Sequence, residues 1–373
     1  MPASLINYLT AVQFGAGAVA ELPTLLKQHS ISRPMLVTDP GLVALGLPER
    51  LPVEPQVVFS DVPTNPTEES VVAGATVFRE NDCDGVISLG GGSPIDCAKG
   101  ISILATHPEP LDQYALIRGG LTKISSDKPP VIAIPTTSGT GSEAGRGALI
   151  SFSSGEKLAL ISPHVIPTTA ICDPELTLGL PPLLTAATGM DAISHCVETF
   201  CSPKINAVAD AIALDGLARA FASLRAAVAN GSDLHHRTEM MMASLQGGLT
   251  FQKGLGMIHS LSHPLGALPD KPLHHGTLNA IFLPHVLRFN AEACPEKLDR
   301  MAQTMKCGEG QNLPAVFERL IRDIGLPQKL SQLGVTEADL EAIPRLAMAD
   351  HSTPSNPREM TLEDCRNILR LSL

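Results

Sequence analysis

Asp191 and His195 stand four residues apart, as do His259 and His263, and a third cluster, His274-His275-Gly276, follows a stretch broken by Gly and Pro. Residues four apart on a helix share a face, so each pair can turn two side chains toward one centre. A carboxylate with several imidazoles is a ligand set for a borderline divalent ion, Fe(II) or Zn(II), with no need of cysteine. One histidine alone says little. The set says more, because its flanks, Gly-Met-Asp-Ala192 and His263-Pro-Leu-Gly266, are apolar or tight, and polar groups in such places need partners.

Two glycine-rich loops upstream suit a different ligand. Leu89-Gly-Gly-Gly-Ser-Pro-Ile-Asp96 follows a predicted strand and opens a helix. Gly90, Gly91 and Gly92 let the backbone approach a ligand closely, and the helix N-terminus offers uncommitted N–H groups to a pyrophosphate. Ser93 with Pro94 has the residue types of an N-cap and first helical position. The second loop, Pro135-Thr-Thr-Ser-Gly-Thr-Gly-Ser-Glu143, brings hydroxyls from Thr136, Thr137 and Ser142 after another strand. Neither loop is G-x-G-x-x-G or the P-loop pattern, whose lysine is missing. Asp39, ending an early strand, can accept from an adenosine ribose; its charge would repel a 2′-phosphate and so favours NAD over NADP.

Elements able to hold these residues can be read from periodicity. Pro34–Asp39, Gly85–Gly90, Pro130–Pro135 and Thr169–Asp173 read as buried strands, with helical spacing over 66–81 and 94–106 between them. Strand and helix in alternation predict a parallel, doubly wound sheet, which binds nucleotides along its carboxyl edge. After Leu180-Pro-Pro182 the chain is dominated by Ala, Leu and Met at 3.6-residue spacing, as over 206–230 and 237–251. The expectation is an α/β dinucleotide-binding domain over 1–180 with a Rossmann-like parallel sheet, then an all-helical domain over 181–373, with the Pro-Pro step as a hinge.

Composition narrows the class. The 373 residues are 44% hydrophobic and 17% charged, as in a well-buried enzyme, and the net charge of −11 argues against nucleic acid as a partner. No apolar run reaches the ~18–20 residues of a membrane span. The start, Met1 to Tyr8, lacks the basic and apolar segments of a signal peptide, and eight isolated cysteines read as reduced thiols. The expected compartment is the cytoplasm.

Taken in order, these motifs resemble the iron-containing (group III) alcohol dehydrogenase family along essentially the whole chain. They run Val-Thr-Asp39, Asn65-Pro-Thr67, Gly-Gly-Gly-Ser-Pro-Ile-Asp96, Pro135 to Glu143 and Asp173-Pro-Glu-Leu-Thr177. Thr188-Gly-Met-Asp-Ala-Ile-Ser-His195, His259 to Gly266 and His275-Gly276 leading to Leu283-Pro-His285 complete them. The resemblance implies a dehydroquinate synthase-like architecture with catalysis in an interdomain cleft, and homodimers or larger homo-oligomers. It implies NAD(H), bound through Asp39, Gly90 to Ser93, Asp96, Thr136, Thr137, Ser142 and Lys157. It implies a divalent metal, Fe(II) ahead of Zn(II), on Asp191, His195, His259 and His275, with His275 preferred over His274 by its place before the glycine. His263 is implied as a proton-relay group.

The implied reaction is hydride transfer between nicotinamide and a small primary alcohol or aldehyde, with the metal as Lewis acid. The alternatives are a metal-independent reductase of the same fold, like the maleylacetate reductases, and a non-catalytic metal-binding protein. One segment departs from the family pattern: after Glu143 the chain reads Ala-Gly-Arg-Gly-Ala148, and Arg146 is expected to recognise an acidic group on the substrate.

Overall fold

The computed structural model describes residues 10–268, 271, 273–307 and 312–373; the Met1–Tyr8 start and parts of the 266–274 link lie outside the described residues. The chain divides into two compact units. One comprises residues 10–137 and Gly141–Thr177; the other comprises Leu178–Leu373 together with Ser138–Thr140.

The first unit is built on a six-stranded sheet, paired in parallel throughout, with the order β1-β8-β5-β4-β2-β3. The strands are β1 (Ala11–Phe14), β2 (Pro34–Val37), β3 (Val57–Phe59), β4 (Gly85–Gly90), β5 (Val131–Pro135) and β8 (Thr169–Cys172). The four central strands are the Val- and Ile-rich runs, and every residue of them is buried, as a sheet covered on both faces requires. The edge strands β1 and β3 carry little sequence signal because they are short and partly exposed. An antiparallel hairpin, β6 (Gly147–Ser151) with β7 (Lys157–Ile161), begins at the end of the stretch that departs from the family pattern.

Crossover helices α1 (Leu22–Gln28), α2 (Pro40–Ala44), α3 (Glu68–Glu80) and α4 (Gly92–Leu104) complete the unit. Helix α3 begins with a capping box in which Thr67 and Ser70 each satisfy the other's backbone N–H. Parallel pairing puts every strand's carboxyl end on one edge, and the register sets Gly90 beside Pro135. The two glycine-rich loops therefore leave the sheet side by side.

The second unit is helical: α5 (Pro182–Cys201), α6 (Ala207–Ala229), α7 (Leu234–Leu249), α8 (Met257–Leu265), α9 (His275–Asn290), α10 (Pro295–Thr304), α11 (Leu313–Asp323), α12 (Ile343–Ala349) and α13 (Leu362–Ser372). Pro181 and Pro182 form the N-cap and first position of α5, where a missing N–H costs nothing. Helix α5 is buried along most of its length and packs against α6, α7 and α9. Met190, Ile193, Val197, Leu217, Leu261, Leu278 and Phe282 fill this core. Each such side chain contributes ~1.5–3 kcal/mol of burial free energy. At Gly276 a Cβ would lie 2.1 Å from the carbonyl oxygen of Ala187, so only glycine lets α9 approach α5 this closely.

Candidate functional site

Three helices of the second unit bring the candidate ligands together. Helix α5 supplies Asp191 and His195 from one face, α8 supplies His259, and the first residue of α9 is His275. Around Asp191 Oδ1 stand His195 Nε2 at 3.5 Å, His275 Nε2 at 3.6 Å and His259 Nε2 at 3.7 Å. The ligand atoms of Asp191, His195 and His259 lie within 4.8 Å of one another, and His275 stands at the more open side, with 24% of its side chain exposed. His274 is the N-cap of α9.

The protonation pattern suits a cation. His195 Nδ1 lies 3.2 Å from the Gly139 carbonyl oxygen, and His259 Nδ1 lies 2.5 Å from Glu198 Oε2. Both acceptors require N–H on Nδ1, which leaves Nε2 for the centre. Asn279 Nδ2 points at Asp191 Oδ1 (2.7 Å), His275 Nε2 (3.1 Å) and His259 Nε2 (3.2 Å). An amide has two protons for these three acceptors, so it cannot satisfy them all. Burial pushes His195 down to about 4 against the pull of Asp191. Burial opposes charge on His259 too, yet Glu198 and Asp191 outweigh it and raise this imidazole to about 9. Burial likewise opposes charge on Asp191, but the surrounding imidazoles hold the carboxyl far below its usual range. Two buried carboxylates thus draw positive charge to the position a divalent ion would take. The residues present fit a metal.

His263, one turn beyond His259, is buried and hydrogen-bonded through Nδ1 to Asp350 Oδ2 at 2.9 Å. Its ring stacks with those of His275 and His351, at centroid separations of 5.3 and 5.5 Å. Burial pushes it down to about 4, with Asp350 opposing, which makes it a neutral imidazole at physiological pH. Glu198, Asn279, Asp350 and His351 are absent from the sequence-derived set. A signal existed for the first two, since Glu198 lies seven residues after Asp191 and Asn279 four after His275, on the ligand faces of their helices.

In the first unit the glycine loop runs from β4 directly into α4. Its N-cap is Gly91 and no side chain caps the helix, which corrects the expected Ser93-Pro94 start. Ser93 Oγ instead bonds the Thr64 carbonyl oxygen. The reason lies in Gly90, whose φ of +152° turns the chain early and whose Cβ would sit 2.5 Å from Pro94. Helix α4 therefore starts two residues sooner, with first-turn amides that no protein side chain caps. Gly91 faces the Thr137 side chain, and Thr136 N–H donates to the Gly90 carbonyl at 3.0 Å.

Asp96 and Ser142 turn inward. Asp96 accepts from Ser142 Oγ (2.5 Å) and Leu149 N–H (2.9 Å), so these two residues hold the second loop against α4 and β6. Lys99, 1% exposed, completes the clamp by donating to the carbonyls of Ser142 (2.7 Å), Gly145 (3.2 Å) and Gly147 (2.6 Å) and to Ser142 Oγ. Asp39 caps α2 by accepting from Leu42 N–H at 3.0 Å, at the carboxyl end of β2. Lys157 Nζ donates to Asn65 Oδ1 at 3.0 Å. Arg146 is exposed, and among the described residues its side chain forms no ion pair.

Known proteins match along the full chain. Residues 10–174 match a family model described as iron-containing alcohol dehydrogenase, and residues 185–373 one described as the C-terminal part of the Fe-containing alcohol dehydrogenase family. A 4-hydroxybutyrate dehydrogenase from Cupriavidus necator is 47% identical over 99% of this chain and 100% of its own. A solved structure of 1,3-propanediol oxidoreductase superposes with a TM-score of 0.91 at 37% identity, covering 99% of this chain and 100% of its own. A sulfoacetaldehyde reductase from Bifidobacterium kashiwanohense, solved with NAD+, gives a TM-score of 0.88 at 28% identity over 99% of each chain.

Proposed function

The chain belongs to the iron-containing alcohol dehydrogenase family, and we propose that it acts through a divalent metal held by Asp191, His195, His259 and His275. It is an NAD-dependent oxidoreductase of alcohols and aldehydes. The observation that carries the metal reading is the gathering of three imidazole Nε2 atoms within 3.5–3.7 Å of Asp191 Oδ1. Fe(II) is the proposed ion, with Zn(II) as the alternative, because a carboxylate with three imidazoles accepts either.

When bound, the metal supplies Lewis acidity toward an alcohol or carbonyl oxygen, and the nicotinamide carries the hydride. The chain's own residues do the rest. Asp191 offsets charge at the centre, and Glu198 and Gly139 hold two imidazoles in the ligating tautomer. His263, with Nδ1–H committed to Asp350, presents Nε2 to take the alcohol's proton or return it to the product. On the first unit, the uncapped start of α4 at Gly91, Gly92 and Ser93 receives the pyrophosphate, Thr136 and Thr137 flank it, and Lys157 lies near the phosphates. Asp39 meets the ribose through Oδ2, its Oδ1 being used by Leu42. Asp96 and Ser142 act on the cofactor indirectly, by fixing the loop.

Within the family, a small primary alcohol bearing a carboxylate at its far end is the proposed substrate class. The full-length 47% identity to a 4-hydroxybutyrate dehydrogenase supports it, and so does Arg146, which lacks an acidic partner among the described residues. No helix among the described residues is long and apolar enough to cross a membrane. The free state of all eight cysteines supports a reducing compartment, taken to be the cytoplasm. A homodimer or larger homo-oligomer is proposed from the family. The test is elemental analysis of anaerobically purified protein alongside NADH absorbance with ω-hydroxy acids, simple alcohols and their aldehydes. Activity lost to a chelator and restored by Fe(II) is the expected result. Turnover without metal would point to the metal-independent reductases, and metal without turnover to a binding protein.

A further inference from the structure

Glu198 shares a face of α5 with Asp191 and His195, at spacings of seven and three residues. It is 4% exposed, and among the described residues neither carboxylate oxygen meets a Lys or Arg. Both oxygens reach across to α8: Oε1 accepts from Ile258 N–H at 2.6 Å, and Oε2 accepts from His259 Nδ1 at 2.5 Å. Helix α8 has no side-chain cap of its own, since its N-cap is Gly256. Its first two amides are taken by residues from elsewhere, Met257 N–H by Asn356 Oδ1 at 3.1 Å and Ile258 N–H by Glu198. One carboxylate thus serves as a remote cap for α8 and as the hydrogen-bond acceptor of the histidine that α8 contributes.

We infer that Glu198 is a positioning residue for the metal centre, fixing the tautomer, ring orientation and electron donation of His259. The inference rests on the proposed metal site. A bidentate carboxylate bound to an amide and an imidazole N–H from the same helical turn leaves the ring one orientation. It also makes Nε2 a stronger donor, the known effect of a carboxylate behind a ligating histidine. With Asp191 it brings the protein charge facing a divalent ion to −2, so the loaded centre is neutral despite its burial. Removing either property weakens the site without removing a ligand.

The test compares wild type with Glu198→Gln, loaded with Co(II) under competition from a chelator. Glutamine keeps the shape but can accept only one of the two N–H groups well. Co(II) affinity is expected to fall ~10–100-fold, and the visible Co(II) bands to shift, while KM for NAD stays within about twofold. Equal Co(II) affinity and an unchanged spectrum in folded Glu198→Gln would overturn the inference. Wild type that fails to bind Co(II) would instead overturn the metal reading itself. A second measurement needs no variant: 15N spectra of histidine-labelled, Zn(II)-loaded wild type should show His259 protonated at Nδ1, with a proton slow to exchange. Fast exchange there, or the Nε2–H tautomer, would also overturn it.

Discussion

His195 Nδ1 and the carbonyl oxygen of Gly139 lie 3.2 Å apart, which joins a candidate metal ligand to a residue of the hydroxyl-rich loop. The carbonyl can only accept, so His195 carries its proton on Nδ1 and offers Nε2 to the centre. His275 approaches Asp191 at 3.6 Å, which favours it as the fourth residue of the proposed metal site. His195→Ala and His275→Ala should each lower metal affinity by more than the ~10–100-fold typical of an outer hydrogen-bonding partner. His274→Ala should leave metal content within about twofold of wild type. Metal-to-protein ratios after dialysis against a weak chelator decide this, and equal losses for His274→Ala and His275→Ala would reverse the assignment.

Gly276 sets the spacing of α9 from α5. A Cβ there would stand 2.1 Å from the Ala187 carbonyl oxygen and 3.2 Å from Asp191 Cβ, so Gly276→Ala must push the helices apart. Overpacking of this kind costs ~1–3 kcal/mol or more. Metal affinity should fall with it, because His275 and Asn279 travel on α9. Gly179→Ala meets nothing within 4 Å and should stay within ~0.5 kcal/mol of wild type. Thermal melts and Co(II) titrations of the two variants give the comparison.

Glu143 should make stability fall as pH rises. It is 2% exposed, and burial lifts its carboxyl from 4.5 to about 7, with Lys99 opposing. The folded state then holds a proton that the unfolded chain has lost, so this contribution is fully present below pH 4.5. It declines between pH 4.5 and about 7, and is gone above. The loss is on the order of 3 kcal/mol. Glu143→Gln removes the ionisation, so its melting temperature relative to wild type should rise between pH 5 and pH 8. A constant difference across that range would contradict the burial argument.

Lys99 holds three loop carbonyls, the Ser142 hydroxyl and, at 3.5 Å, Asp96. Lys99→Met leaves those acceptors buried without a donor, a loss of ~3–5 kcal/mol for a broken buried pair. KM for NAD should rise several-fold in whatever folds, since Thr136, Thr137 and Gly91 depend on that loop's position. An unchanged KM with normal stability would mean the loop holds its shape without the ammonium.

Arg146→Ala tests the substrate class. The proposal expects kcat/KM to fall at least ~10-fold for ω-hydroxy acids and semialdehydes, the scale of one charge-assisted hydrogen bond, with neutral substrates little changed. An equal effect on acidic and neutral substrates would remove Arg146 from recognition.

Legibility in the sequence followed the range of the interaction. The four central strands and the two glycine loops were readable because burial on both faces and tight turns leave a local signature. The ligand pairs on α5 and α8 were readable because four-residue spacing is itself local. The β6–β7 hairpin was not, since Gly145-Arg-Gly147 reads as a turn, and the strand that starts at Gly147 is fixed by Lys99 and Asp96 from α4, which bond Gly147 and Leu149. The start of α4 was misplaced by two residues because Ser93-Pro94 has good capping chemistry, while the positive φ at Gly90 starts the helix earlier. Asp350 comes from a segment 87 residues beyond His263, and no periodicity links the two.

The burial of Lys99 bears on when this lysine can be chemically altered. With 1% of the residue exposed and its ammonium inside a cage of carbonyls, no acylating enzyme or reagent reaches it in the finished fold. Acylation could occur only on the nascent or unfolded chain, where it would remove the charge and leave one N–H for a cage of several acceptors before the cage forms. Such a lesion would reduce how many molecules mature and loosen the loop in any that do. An assay normalised to active sites would miss the lost molecules, and a measurement of folding yield would find them.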